Sequence, residues 1–133
     1  MILVDTSVWS LFLRRDGAEG AHIRRLHFAL QSGEEIFTTG LILQELLQGF
    51  SGPKNRSVII DFFRDLPLIA PSRGDHLEAA ELRNKARRGG IQVATIDALI
   101  AQLAIRHRLL LLTNDTDFLH LSKITNLKIW RPD

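Results

Sequence analysis

The sequence predicts an α/β fold: a three-layer α/β/α sandwich around a mostly parallel sheet of four to five short strands. Three observations predict it. Short runs rich in strand formers alternate with longer segments of helical periodicity. The clearest strand-like runs, Ile2-Leu3-Val4 and Leu109-Leu110-Leu111-Leu112-Thr113, are apolar almost throughout, as strands covered on both faces are. The chain has 133 residues, enough for one domain. A domain of that size buries roughly two-thirds of its unfolded surface. Residues 1–133 are therefore read as a single domain without internal repeats.

The elements follow in order. Ile2-Leu3-Val4 is a buried strand. Thr6 or Ser7 then caps a helix carrying Val8, Trp9, Leu11, Phe12 and Leu13, which Gly17 ends. A second helix runs to about Ser32 and stops at Gly33. Ile36-Phe37-Thr38 is a strand, followed by an apolar helix from Leu41 to Phe50. Ser51-Gly52-Pro53-Lys54-Asn55 is a loop, and a helix spans about Arg56 to Asp65. Pro67 to Pro71 is a short extended piece. A long helix from about Ser72 to Arg88 is closed by Gly89-Gly90. Thr95 caps a helix to about His107. Leu109 to Thr113 and Leu127-Lys128-Ile129 are the last strands.

Composition narrows the chemistry. There is no cysteine, which excludes a disulfide framework, a thiol nucleophile and a thiolate zinc site. The opening MILVDTSVW lacks a basic leader, and no apolar run approaches the roughly 20 residues that span a bilayer. A cytoplasmic protein with no membrane contact is expected. Net charge is only +2, yet basic residues cluster at Arg14-Arg15, Arg24-Arg25, Arg83 to Arg88 and Arg106 to Arg108. Such clusters are either solvated helix faces or a path for a polyanion. Trp9, Phe12, Phe28, Phe50, Phe62 and Phe63 have helical spacings that suit a core or a dimer contact. Trp130 is a candidate partner contact, and His107 a cation at a helix end.

The acidic residues point to one rim. Open α/β sheets place their sites at the carboxyl ends of the strands. Asp5 directly follows the first strand, and Asp115 follows the strand ending at Thr113. Asp97 sits in the first turn of a helix that runs about 20 Å away before that strand returns. Glu45 lies near the start of the helix after strand 36–38. Four carboxylates so placed would raise one another's pKa as bare anions. A hard divalent cation, Mg2+ or Mn2+, relieves the conflict, and hydrolysis of a phosphodiester is the chemistry such a site suits. Singly, each acid has an ordinary alternative as a cap, a turn former or part of a solvated stripe.

At these residues the chain resembles the PIN-domain family and, within it, VapC-type toxins of toxin–antitoxin pairs. Ile2 to Trp9 resembles an apolar strand ending in Asp-Thr-Ser. Leu43 to Gly49 resembles a motif whose glutamate precedes an apolar pair. Ile96 to Ala101 resembles Asp-Ala-Leu-Ile-Ala. Leu111 to Phe118 resembles a strand leading into Thr-x-Asp-x-Asp-Phe. The four occur in the family's order across nearly the whole chain. The resemblance implies an Mg2+- or Mn2+-dependent endoribonuclease that forms homodimers and is inhibited by a cognate antitoxin. Asp5, Glu45, Asp97 and Asp115 would be its metal-site acids and Asp117 an auxiliary acid. Thr6 and Thr113 would offer hydroxyls to the acids or to substrate, and Asn114 would orient Asp115. Arg83 and Arg87, one turn apart on helix 72–88, are the expected RNA contacts.

Three alternatives fit these residues less well. A haloacid-dehalogenase-like phosphatase needs a second aspartate two residues after the first, where this chain has Ser7. A receiver domain needs an acidic pair before its acceptor aspartate and a lysine after a late strand, and neither pattern is visible. A non-catalytic RNA-binding or scaffold domain on the same fold would be expected to have lost one or more of the acids. RNA and DNA differ by a 2′-hydroxyl, and no residue here announces a contact to it.

Overall fold

A computed structural model describes residues 1–14 and 19–132. The predicted helix stop at Gly17 and the cluster member Arg15 lie outside the described residues. The elements are β1 (Ile2–Val4), α1 (Thr6–Leu13), α2 (Ala21–Ser32), β2 (Ile36–Thr39), α3 (Gly40–Gly49), α4 (Pro53–Phe63), β3 (Leu68–Ile69), α5 (Arg73–Arg88), α6 (Thr95–Arg106), β4 (Leu110–Leu112) and α7 (Thr116–Ser122).

All strand pairs are parallel, in the order β3-β2-β1-β4. The chain steps from β1 to β2 to β3 in one direction and then returns past β1 to lay down β4. Right-handed crossovers put α1 to α4 on one face and α5 with α6 on the other. The helix contacts divide the same way: α1 packs on α2 and α3, α3 on α4, and α5 on α6. The strand order reverses between β1 and β4, so the crevice outside their carboxyl ends is where such a sheet binds ligands. The expected strand 127–129 is reduced to one parallel bridge, Leu111 with Ile129.

Ile2, Leu3 and Val4 are at most 1% exposed, which explains a strand with no polar alternation. Trp9 is fully buried in α1, edge-on to Phe12 and Phe62 and tilted against Phe63. These rings are core, as their spacing suggested, whereas Phe28 is exposed under the Arg25 guanidinium. Trp130 is partly buried, its ring edge-on to His22 at 5.1 Å. Gly33 closes α2 in the left-handed region, at φ 74°.

Several boundaries differ from expectation. The α4 helix begins at Pro53, inside the stretch read as a loop, because proline is well suited to a first helical position. Thr95 does not cap α6; it is the first helical residue, after Ala94. The α7 helix is not among the expected elements, since Asn114-Asp115-Thr116-Asp117 carries turn chemistry and the helix has 7 residues. No helix of the described residues is long and apolar enough to cross a membrane.

Candidate active site

The site is assembled where β1 and β4 end side by side. The Asp5 amide donates to the Leu112 carbonyl at 2.9 Å, extending the pairing one residue past both strands. Asp5 is 4% exposed. It occupies the N-cap position of α1 without a side-chain capping hydrogen bond. Its Oδ2 instead accepts from Ser7 Oγ at 2.9 Å and Thr113 Oγ1 at 2.8 Å. Thr6 and Ser7 were expected to cap this helix. Both hydroxyls are directed to carboxylates: Ser7 to Asp5, and Thr6 to Glu45 Oε1 at 2.9 Å. That last bond joins α1 to the second turn of α3, where Glu45 is half-buried.

Asp97 lies in the first turn of α6 and is also half-buried. Asp115 caps α7, its Oδ1 accepting from the Asp117 amide at 2.9 Å. Its own amide donates to Thr113 Oγ1 at 3.0 Å. It is thus a helix cap and a candidate ligand at once. One carboxylate oxygen each from Asp97, Asp115 and Asp117 lie within 4.8 Å of one another. Asp117, expected as an auxiliary acid, stands on equal terms with its neighbours here. Asp5 and Glu45 flank this triad. The Asn114 side chain makes no hydrogen bond to Asp115 among the described residues; its amide donates to Ser7 Oγ at 3.0 Å.

The electrostatics follow from the crowding. Burial, then the charges of Asp5, Asp115, Glu45 and Asp117, push the Asp97 carboxyl up to about 7. Burial also raises Asp5, against the pull of the Thr113 and Ser7 hydroxyls and of the Thr6 and Ser7 backbone amides. Among the described residues no ion pair engages any of the five acids. A set of oxygen donors, crowded enough to hold a proton at neutral pH for want of a positive partner, fits a hard divalent cation.

A groove of about 510 Å³ is lined by Asp117 of the triad together with Arg83, Arg87 and Gln92. Arg83 Nε donates to the Val93 carbonyl at 2.8 Å, which fixes its guanidinium, while Arg87 is exposed. The other basic clusters are partly consumed by the fold. Arg25 pairs with Glu34, Lys85 Nζ donates to the Ile124 carbonyl, and Arg106 grips a buried aspartate, Asp75. Sequence reasoning missed Ser7 as a partner of Asp5. A hydroxyl two residues after a strand-end acid was the available signal, and it was assigned to capping.

The PIN domain model matches residues 2–124. Ribonuclease VapC11 of Mycobacterium tuberculosis is 35% identical over 131 residues, covering 96% of each chain. Among solved structures, VapBC2 from Rickettsia felis, bound to a DNA fragment from its promoter, is similar over 100% of both chains with a TM-score of 0.78 and 24% identity. DNA-bound VapBC from Salmonella typhimurium is similar over 98% of both, with a TM-score of 0.76 and 22% identity. The two structures share the fold.

Proposed function

Because the chain belongs to the PIN-domain family, we propose that it is a metal-dependent endoribonuclease, the toxin of a toxin–antitoxin pair. The observation that carries this reading is the cluster of five acids without a basic partner among the described residues, its Asp117 lining an arginine-bearing groove. A non-catalytic RNA-binding domain on this fold has no need to keep such a cluster.

Asp97, Asp115 and Asp117, with Asp5 beside them, would hold Mg2+ or Mn2+. When bound, the cation polarises a phosphoryl oxygen, lowers the pKa of a water and stabilises the departing oxygen. The chain's own residues supply the rest. Thr6 holds Glu45 through Oε1, so Oε2 is left to orient the attacking water and take its proton. Arg83 offers a guanidinium already fixed for a phosphate of the RNA strand, and Arg87 adds screened attraction from the groove's rim. In-line displacement of the 3′ oxygen leaves a 5′-phosphate. The relatives crystallised as VapBC complexes support a cognate antitoxin as partner. A homodimer of single-domain chains, in the cytoplasm, completes the reading.

The test is cleavage of a mixed RNA pool by purified protein with Mn2+, Mg2+ or EDTA, beside Asp5→Asn. Cleavage that requires metal and is lost in the variant is expected. A wild type that binds no divalent cation and cleaves nothing would return the fold to the RNA-binding alternative.

A further inference from the structure

Asp5 is held unlike the other acids. Its Oδ2 accepts from two hydroxyls, Ser7 Oγ at 2.9 Å and Thr113 Oγ1 at 2.8 Å. Each hydroxyl has one proton to give. Each also accepts a backbone amide of the β4–α7 loop: Asn114 N–H reaches Ser7 Oγ and Asp115 N–H reaches Thr113 Oγ1, both at 3.0 Å. Two consecutive amides therefore occupy the accepting sides and turn both protons toward Asp5. The Ser7–Thr113 oxygen contact of 3.3 Å is left with no proton of its own. An ionised carboxylate has about two acceptor directions per oxygen, so Oδ2 is filled. No side chain donates to Oδ1 among the described residues, while the Thr6 and Ser7 amides also favour the ionised carboxylate.

We propose that Ser7, acting with Thr113, is a positioning residue that reserves Asp5 Oδ2, confines Asp5 to one-oxygen coordination through Oδ1, and so biases the site toward small six-coordinate cations over calcium. The inference rests on the metal reading above and adds a selectivity to it. Magnesium requires a near-octahedral shell at short distance, whereas calcium takes more ligands and readily accepts both oxygens of one carboxylate. An aspartate free to swing both oxygens inward would favour calcium. The same four bonds tie the end of β1 to the loop that carries Asp115 and Asp117, so the latch also sets Asp5 against the triad.

The test uses the full chain as Ser7→Ala, Thr113→Val and Ser7→Thr. Mn2+ affinity is read by electron paramagnetic resonance, Ca2+ affinity by competition, and folding by melting without metal. Loss of either hydroxyl is expected to weaken Mn2+ binding about tenfold. Ca2+ binding should fall less, so the preference for Mn2+ over Ca2+ narrows, while Ser7→Thr keeps the wild-type ratio. If Ser7→Ala does not fold, the near-isosteric Thr113→Val reads the same ratio. An unchanged ratio in folded variants lacking a hydroxyl would overturn the latch and leave the metal reading intact. A wild type that binds no Mn2+ would overturn both.

Discussion

Two aspartates near opposite ends of the α5–α6 pair are treated in opposite ways. Asp75, in the first turn of α5, is 1% exposed. Its carboxylate accepts from Arg106 Nε at 2.6 Å and a terminal guanidinium nitrogen at 2.8 Å, from the Ser72 amide at 2.8 Å, and from Gln102 at 3.4 Å. The guanidinium holds this carboxyl well below the usual carboxylate range. About 14 Å along α6 from Arg106, Asp97 meets four acids and, among the described residues, no cation, and its carboxyl is pushed up to about 7. The contrast separates two uses of a poorly solvated charge. Where the carboxylate ties two helices together, the chain supplies the counter-charge itself. Where the charge is left unbalanced, the balance must come from outside the chain.

Removing each charge is the severest test of that contrast, because the two variants should move in opposite directions. Asp97→Asn is expected to reduce RNA cleavage by at least about 100-fold. It should also stabilise the metal-free protein at pH 8 by about 1–2 kcal/mol, after allowing for the solvent that reaches a half-buried carboxyl. Asp75→Asn should destabilise by about 2 kcal/mol, through loss of charge-assisted hydrogen bonds, and leave residual activity at temperatures where it is folded. Denaturant titration beside the cleavage assay checks both. Destabilisation by Asp97→Asn would mean that the cluster is structural.

The pH dependence gives a smaller, graded form of the same opposition. Asp75 is lowered on folding, so the stability it contributes is present above the unfolded value near 3.9 and is lost as the pH falls below it. Asp97 is raised on folding to about 7. Its share is therefore fully present below its unfolded value and is lost as the pH rises from about 4 through 7. Metal-free protein should thus weaken between pH 5 and 8, and saturating Mn2+ should abolish that decline. Calorimetry at pH 6 in buffers of different ionisation enthalpy should show proton release on Mn2+ binding. A flat metal-free profile from pH 5 to 8 would remove the unbalanced charge from the account.

The two ends were unequally visible in the sequence. Asp5, Glu45, Asp97 and Asp115 could be placed on one rim because strand ends and helix starts fix where a backbone atom lies, and the parallel order fixes which edge it joins. Asp75 could not be foreseen as more than a residue of a helix start. Its partner Arg106 is 31 positions away, and their meeting depends on how α5 and α6 pack. Arg106 was consequently grouped with basic residues available to a polyanion. The hydroxyls of Thr6 and Ser7 failed for a related reason. A cap is a local rule, and here carboxylates reached through the tertiary fold outcompete it. Asp117 stood as an auxiliary acid on the resemblance alone, and the short helix that brings it into the triad was not among the expected elements.

The smallest expected effect concerns the arginines that stand near the acids without neutralising them. Arg106 touches its carboxylate, but Arg83 gives Nε to the Val93 carbonyl and Arg87 lies exposed along the groove. If these charges serve the substrate, Arg87→Gln should weaken RNA binding a fewfold and lower the slope of log affinity against log salt by about one, whatever the RNA sequence. Arg83→Gln should cost more at a fixed salt concentration, since a guanidinium fixed in advance loses less freedom on binding. Both variants should keep the Mn2+ affinity of the wild type, because neither side chain belongs to the acid set. An unchanged salt slope in both variants would make that surface a solvated helix face. The unbalanced acids would then have no basic approach from α5, and the path of the RNA would have to be sought on the α1–α3 side of the cluster, where Glu45 lies.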